Sequence, residues 1–170
     1  ISQQYSLQRI SLERMATVDP LTGALNRRSM EGELQLAVEE HMRKGSPMSV
    51  ILIDFDHFKQ INDQYGHDMG DLVLSMFAEL VMQNTRQNDR FFRYGGEEFL
   101  MLIKNDIKDE AEAIVKKIRH ATENCHFSGA HKITVSIGVA RMNKGESYEH
   151  WIARADAAMY RAKQLGRNRV

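Results

Sequence analysis

Two acidic groups in this chain carry the residue types and spacing of a shared site. In the run Arg93-Tyr94-Gly95-Gly96-Glu97-Glu98-Phe99, two carboxylates follow two glycines, with Phe91-Phe92 before and Phe99-Leu100-Met101-Leu102-Ile103 after. A Gly-Gly pair between apolar, β-prone runs supplies the positive backbone angles of a tight hairpin, and it lets another molecule approach bare backbone. Adjacent carboxylates on such a tip suit a divalent metal or a triphosphate-metal complex; taken alone they are equally a solvated pair on a common turn. The second group, Asp54-Phe55-Asp56, ends the apolar run 48–53 and precedes Lys59, Asn62 and Asp63. If Asp54 closes a central strand and the Glu97-Glu98 tip lies on its neighbour at the same edge, the two make a hard-oxygen site. Magnesium prefers a few carboxylates plus phosphate oxygens and retained waters, so two or three carboxylates are the right number. The plainer role for Asp54 is a helix N-cap.

Other polar residues fall at positions that fit the same chemistry. Phe55-Asp56-His57-Phe58 exposes unpaired backbone N–H groups where a helix begins, a seat for phosphate, and Lys59 adds positive charge there. Within His67-Asp68-Met69-Gly70-Asp71, Asp71 either caps a helix or accepts hydrogen bonds from a base edge. Lys163 and Arg167, four apart around Gly166, either complement a helix dipole or clamp phosphates.

These groups need a scaffold, and the apolar pattern describes one. Met30, Leu34, Val38 and His41/Met42 keep helical spacing until Gly45-Ser46-Pro47. The run 48–53 reads as a strand buried in the middle of a sheet. Leu72, Val73, Met76, Phe77, Leu80 and Val81 write a second long helix, and Ala111, Ile114, Val115 and Ile118 a third. Residues 132–139 alternate as a strand, and Trp151, Ala155, Met159 and Ala162 mark a last helix that stops near Gly166. Helices alternating with strands, plus one hairpin, predict an α/β or α+β sheet with helices packed against it. Upstream, Ile1, Tyr5, Gln8, Leu12 and Met15 follow heptad spacing, either a stalk that pairs with its twin or a frayed amphipathic helix, and Asp19-Pro20 breaks the pattern.

Bulk properties bound the function class. The chain of 170 residues is 42% hydrophobic and 27% charged, ordinary for one folded domain. With 23 basic and 23 acidic residues, it has no general attraction for nucleic acid or an anionic membrane, so any anion site is local. The apolar runs are too short to span a bilayer, no signal-peptide pattern opens the chain, and a single cysteine, Cys125, excludes an internal disulfide. We therefore expect a cytoplasmic location. The first residue is Ile1, which suggests a piece of a longer protein whose remainder could be a membrane or sensor region.

Taken together, the motifs resemble the GGDEF family of diguanylate cyclases over 19–168. The matching strings are Asp19-Pro20-Leu21-Thr22-Gly23 with Asn26-Arg27-Arg28, and Asp54-Phe55-Asp56-His57-Phe58-Lys59 with Asn62-Asp63. They continue with Tyr65-Gly66-His67-Asp68, Gly70-Asp71, the hairpin run 93–99 and Thr134-Val135-Ser136-Ile137-Gly138-Val139. Ala155-Asp156, Met159-Tyr160, Ala162-Lys163 and Gly166-Arg167-Asn168 complete the series. The signature reads Gly-Gly-Glu-Glu-Phe, with Glu at its third position, a variant that active members also use.

The resemblance implies an α+β sandwich with a mostly antiparallel central sheet, like nucleotidyl cyclase and polymerase palm domains. Residues 1–18 would be a linker helix and 19–170 the catalytic domain. It further implies that two GTP molecules, one on each protomer of a homodimer, condense to cyclic di-GMP and two pyrophosphates. By that analogy Asp54, the carbonyl of Phe55, Glu97 and Glu98 hold magnesium or manganese. Glu97 and Glu98 share the proton work, and Lys59 stabilises phosphate charge. Asn62 and Asp71 read guanine, His67 and Phe58 lie on the substrate side, and Gly95 and Gly96 leave backbone open to the nucleotide. Lys163 and Arg167 grip the β- and γ-phosphates from the last helix. Arg86-Gln87-Asn88-Asp89 leaves five residues between Asp89 and Gly95, the family's offset for an inhibitory cyclic di-GMP site with Arg86 and Asp89 as its contacts. Alternative readings are a silent cyclic di-GMP receptor, against which the intact hairpin signature argues, and a cyclase for another dinucleotide, against which Asp71 argues. No nucleic acid polymer and no membrane contact are expected for this segment.

Overall fold

A computed structural model describes residues 2–127, 129 and 132–170. Its elements run α1 (Ser2–Thr17), α2 (Arg27–Lys44), β1 (Met48–Phe55), α3 (Phe58–Tyr65), α4 (His67–Gln83), β2 (Arg90–Arg93), β3 (Glu98–Lys104), α5 (Glu110–Glu123), β4 (Val135–Arg141) and α6 (Tyr148–Gln164). The four strands form one sheet in the order β2-β3-β1-β4, and every pairing is antiparallel. The fold is α+β, with helices on both sheet faces.

The two faces follow from strand periodicity. β1 is buried along its whole length, because its alternating side chains enter two separate cores. Ile51, Ile53 and Phe55 join Phe99, Met101 and Ile103 under α3, α4 and α5, around Phe77 and Val115. Met48, Val50 and Leu52 join Leu100 and Leu102 under α2 and α6, around Leu34 and Trp151. At roughly 1.5–3 kcal/mol for each large apolar side chain, these cores dominate stability. The even-numbered face of β1 thus looks at α6, and this parity determines what Asp54 can touch.

Local chemistry sets the helix ends. Asn26 caps α2 by accepting from the Ser29 backbone N–H at 2.9 Å, and Gly45 ends it in the left-handed region at φ 65°. Ser147 caps α6 by accepting from the His150 N–H at 3.2 Å. Inside the sheet-to-helix contact, Gly138 has no room for a side chain: a β-carbon there would lie 2.0 Å from the Ala155 carbonyl oxygen and 2.4 Å from the Met159 nitrogen. α6 therefore rests directly on the backbone of β4.

Several expectations shift. The last strand occupies Val135–Arg141 rather than 132–139, since pairing with β1 begins at Val135 opposite Phe55. Met42 and Leu72 keep helical spacing yet remain exposed, at 71% and 42%, because Ala37 and Ala78 fill those helices' buried faces instead. α1 contains no buried residue, so Tyr5, Gln8, Leu12 and Met15 of the heptad series project into solvent, while Ile1 lies outside the described residues.

Candidate active site

The β1–β3 register places Asp54 directly opposite Glu98, at the end of the sheet. Asp54 is almost fully buried and points to the α6 side, where its Oδ2 accepts from the Lys163 ammonium. Its other oxygen, Oδ1, is buried with no hydrogen-bond partner. A buried carboxylate oxygen without a donor is costly, and such an atom is best explained as a ligand position.

Electrostatics agree with that view. Burial pushes the Asp54 carboxyl above its ordinary value, which Lys163 partly offsets and Asp56 reinforces. Glu97 and Glu98 are also raised, first by burial and then by the nearby charge of Asp54; Asp156 adds to the effect on Glu98. Three carboxylates share one lysine and still disfavour their own ionisation, so the site is short of positive charge, which a divalent cation would supply. No group of three or more His, Cys, Asp or Glu side chains among the described residues is already gathered as a metal cage. Lys163 now holds Asp54, so the donors fit a cation that brings phosphate oxygens and water of its own.

The hairpin departs from expectation in its backbone. Neither Gly95 nor Gly96 takes a positive φ. The loop is longer than a two-residue turn: Tyr94 and Gly95 both donate their N–H to the Glu98 carbonyl, at 2.8 and 3.1 Å, so no primed turn is required. Gly96 provides open surface, since a β-carbon there would meet nothing within 4 Å, whereas one on Gly95 would stand 3.5 Å from the Glu98 carboxylate. The tip is held by Arg93, whose guanidinium donates to the Gly96 carbonyl at 2.8 Å and to both oxygens of Asp19 at 3.2 Å. Asp19 stands just past the end of α1, so this clasp joins the end of that helix to the acidic tip. The sequence motifs contained both residues, but nothing in their spacing announced the contact.

Asp54 does not cap α3. His57 occupies that position in a left-handed conformation and makes no side-chain capping bond, which leaves the start of α3 beside Phe58 and Lys59 without a side-chain cap. Lys59 is exposed, and Phe58 packs against Phe55 with ring centroids 5.6 Å apart. α3 and α4 meet at Gly70, where a β-carbon would fall 1.9 Å from Asn62 Oδ1 and 3.2 Å from Phe58. Gly70 thereby brings Asn62 of α3 up against α4, next to Asp71. The sequence places Gly70 in a polar loop ahead of the helix and in the family string Gly70-Asp71, whereas it lies inside α4 and makes this close contact. Asp71 lies within α4, which starts at His67, and so is no cap; His67 and Asp71 are both exposed.

Arg167 is not on the last helix. α6 ends at Gln164, Gly166 turns the chain at φ 123°, and Arg167 follows in the left-handed region at φ 63°. Away from this cluster, Arg86 and Asp89 bond to each other. Asp89 accepts from Arg86 Nη2 at 3.0 Å, from its Nε at 3.2 Å and from its backbone N–H at 3.1 Å, and its carboxylate is fully buried. Arg86 also donates to the Lys104 carbonyl at 3.2 Å.

Known proteins answer to the same fold and pattern. The profile described as diguanylate cyclase, GGDEF domain, matches residues 16–169. The chain belongs to the GGDEF domain family. Among relatives, the diguanylate cyclase DgcM of Escherichia coli is 41% identical over 170 residues, which is 100% of this chain and 41% of that protein. The response regulator PleD of Caulobacter vibrioides is 43% identical over 166 residues, 94% of this chain and 36% of that protein. The chain thus spans about two-fifths of the length of these curated relatives. The coiled coil and GGDEF domain of DgcB from Caulobacter crescentus, solved with c-di-GMP, superposes with a TM-score of 0.93 at 32% identity, covering 99% of this chain and 92% of that one. The active GGEEF domain of a diguanylate cyclase from Vibrio cholerae gives a TM-score of 0.80 at 35% identity, covering 85% and 94% respectively.

Proposed function

We propose that this domain is a diguanylate cyclase that joins two GTP molecules into cyclic di-GMP and releases two pyrophosphates. The observation that carries the reading is the Asp54–Glu98 pair across β1 and β3, with the buried, partnerless Oδ1 of Asp54 between acidic neighbours and Lys163. The relatives' activity and the Gly-Gly-Glu-Glu-Phe signature support it.

Asp54, the Phe55 carbonyl, Glu97 and Glu98 would hold magnesium or manganese, which when bound neutralises the triphosphate and polarises its α-phosphoryl group. Asn62 and Asp71 face the polar edge of guanine, with His67 and Phe58 beside the nucleotide and Gly95 and Gly96 presenting bare backbone. Lys163 reaches the β- and γ-phosphates from its place beside Asp54, joined by Arg167, and Lys59 adds charge near the phosphates. The 3′-hydroxyl oxygen of one GTP attacks the α-phosphorus of the other, the bond to the β-phosphate oxygen breaks, and pyrophosphate leaves. Glu97 or Glu98, both with raised proton affinity, is placed to take the hydroxyl proton.

One domain carries half of this arrangement, so turnover requires a homodimer in which each copy presents its nucleotide to the other. The exposed heptad residues of α1 offer the seam. Product inhibition is assigned to Arg86 and Asp89; cyclic di-GMP would take over the hydrogen bonds these two now make to each other. We place the domain in the cytoplasm, where GTP is available; among the described residues no helix is long and apolar enough to cross a membrane. Incubation with GTP and magnesium, across protein concentrations that reach dimerisation, should give cyclic di-GMP and pyrophosphate, and Glu98→Ala should abolish both. A dimeric chain that binds GTP and makes no product sinks the proposal.

A further inference from the structure

The segment that carries Arg167 adopts an unfavourable backbone. Arg167 and Asn168, neither of them glycine, both lie in the left-handed region, at φ 63° and 48°. Such conformations persist only where the surroundings over-determine them, and they gather at functional sites. Here the restraints converge on Asn168. Its backbone N–H donates to Asp56 Oδ2 at 3.0 Å, its side-chain oxygen accepts from Arg119 at 3.1 Å, and its side-chain nitrogen donates to Glu123 at 3.1 Å. One residue on, the Arg169 carbonyl accepts from the Ile137 N–H at 2.9 Å, tying the tail to β4.

Asp56 is the buried end of this clasp. Its Oδ1 accepts from the Ser136 hydroxyl and its Oδ2 from the Thr134 hydroxyl, each at 2.7 Å, and the side chain is 5% exposed. Every donor it receives is neutral, and none comes from the catalytic cluster. A fully hydrogen-bonded buried carboxylate is a rigid anchor. It sits two residues past Asp54, so the strand end that supplies the central carboxylate also fixes the tail.

We propose that Asp56, acting through Asn168, is a positioning residue that holds Arg167 where its guanidinium meets the terminal phosphates of the nucleotide. The two residues touch no substrate; they convert the left-handed turn after α6 from a loose tail into a mount. A flexible arginine would lose rotational and backbone freedom on every binding event, and a pre-set one avoids that loss. This rests on the assignment of Arg167 to the β- and γ-phosphates, and the test separates the two claims.

Binding of a non-hydrolysable GTP analogue with magnesium, and of guanosine 5′-monophosphate as a ligand lacking those phosphates, is measured by calorimetry on the whole chain. The variants are Arg167→Ala, Asn168→Ala, Asp56→Ala and Asp56→Asn, with the double variants Arg167→Ala/Asn168→Ala and Arg167→Ala/Asp56→Ala. Arg167→Ala should weaken the analogue about tenfold, the order of one charge-assisted contact. Asn168→Ala and Asp56→Ala should each weaken it several-fold, leave the monophosphate unchanged, and add nothing in the Arg167→Ala background. Asp56→Asn keeps an acceptor for the Asn168 N–H and should restore affinity. Should Asp56→Ala fail to fold, Asp56→Ser, too short to reach the Asn168 N–H, takes its place; Asn168→Ala keeps that N–H and reads only the side-chain bonds to Arg119 and Glu123. Equal losses with and without Arg167, or equal losses for the monophosphate, overturn the positioning role while leaving the Arg167 assignment standing. An Arg167→Ala variant with full affinity overturns both.

Discussion

Replacing Gly138 with alanine should damage catalysis from a position that touches no nucleotide. Gly138 lies on β4 opposite Leu52 of β1, on the face covered by α6. A β-carbon there would stand 2.0 Å from the Ala155 oxygen, 2.4 Å from the Met159 nitrogen and 3.0 Å from the Met159 Cα, and all three are backbone atoms. Side chains cannot swing aside to relieve this. Ordinary contact begins at 3.4 Å, so α6 must retreat by roughly 3.4 minus 2.0, about 1.4 Å. The helix buries Trp151, Ala155, Met159 and Ala162 and cannot lift without opening that core, so a loss of about 2–3 kcal/mol is expected. One turn beyond Met159 comes Lys163, the partner of Asp54, and a displacement of about 1 Å at a reacting centre costs on the order of 100-fold in rate. Urea unfolding, read at constant slope, gives the first number and GTP turnover the second. A variant within about 0.5 kcal/mol of the parent and within about twofold in turnover would refute the idea that α6 is seated on bare strand backbone.

Other substitutions probe separate parts of the scaffold. Gly70→Ala puts a β-carbon 1.9 Å from Asn62 Oδ1, so guanine nucleotide affinity should fall at least tenfold while the acidic cluster keeps its cation affinity; calorimetry with GTP and with magnesium separates the two. Arg93→Ala removes the clasp between Asp19 and the Gly96 carbonyl, and should lower turnover more than GTP affinity, with faster amide exchange over 94–97. Arg86→Ala should abolish inhibition by cyclic di-GMP, seen as progress curves that no longer slow. It should also cost about 1–3 kcal/mol, because Asp89 is left buried with fewer donors. Glu146 is held down to about 2, first by the Arg154 guanidinium and then by His150 and the Asn143 N–H. A carboxylate with a lowered folded-state value contributes above its unfolded value and is lost as pH falls through the folded one. The destabilisation caused by Glu146→Gln, about 1–3 kcal/mol at pH 7, should therefore shrink between about pH 4.5 and pH 2; a constant difference would count against the pair.

What sequence reading could reach followed the strength of the periodic signal. The run 48–53 and the last helix, from Trp151 to Ala162, stand where their apolar spacing put them, because burial on two faces or along one stripe leaves few alternatives. The alignment of Asp54 with the hairpin was guessed as a shared edge, and the register makes it a direct cross-strand pair. Backbone detail was less accessible. The positive angles expected at Gly95 and Gly96 are not found there, since loop length, which the string Gly-Gly does not encode, decides the turn type. In the sequence Gly70 reads as part of a loop and Gly138 as a minor flaw in a strand, and their purpose appears only when a second element is laid against them.

The parity of β1 explains why these parts belong to one device. Odd positions 51, 53 and 55 face α3, α4 and α5, and even positions 48, 50 and 52 face α2 and α6. Continuing the alternation by one step places Asp54 under α6, where Lys163 can reach it, and Phe55 under α3 and α4, where it packs with Phe58 and Phe77. One dipeptide therefore ties α6 to α3 and α4. A one-residue slip of β1 would send the carboxylate toward α3 and α4 and a phenyl ring to the lysine, breaking both sets of contacts together. Because β3 flanks β1 on one side and β4 on the other, with Glu98 and Ser136 both opposite Asp54, such a slip must break two ladders at once. The geometry of the acidic cluster is thus protected by the whole sheet.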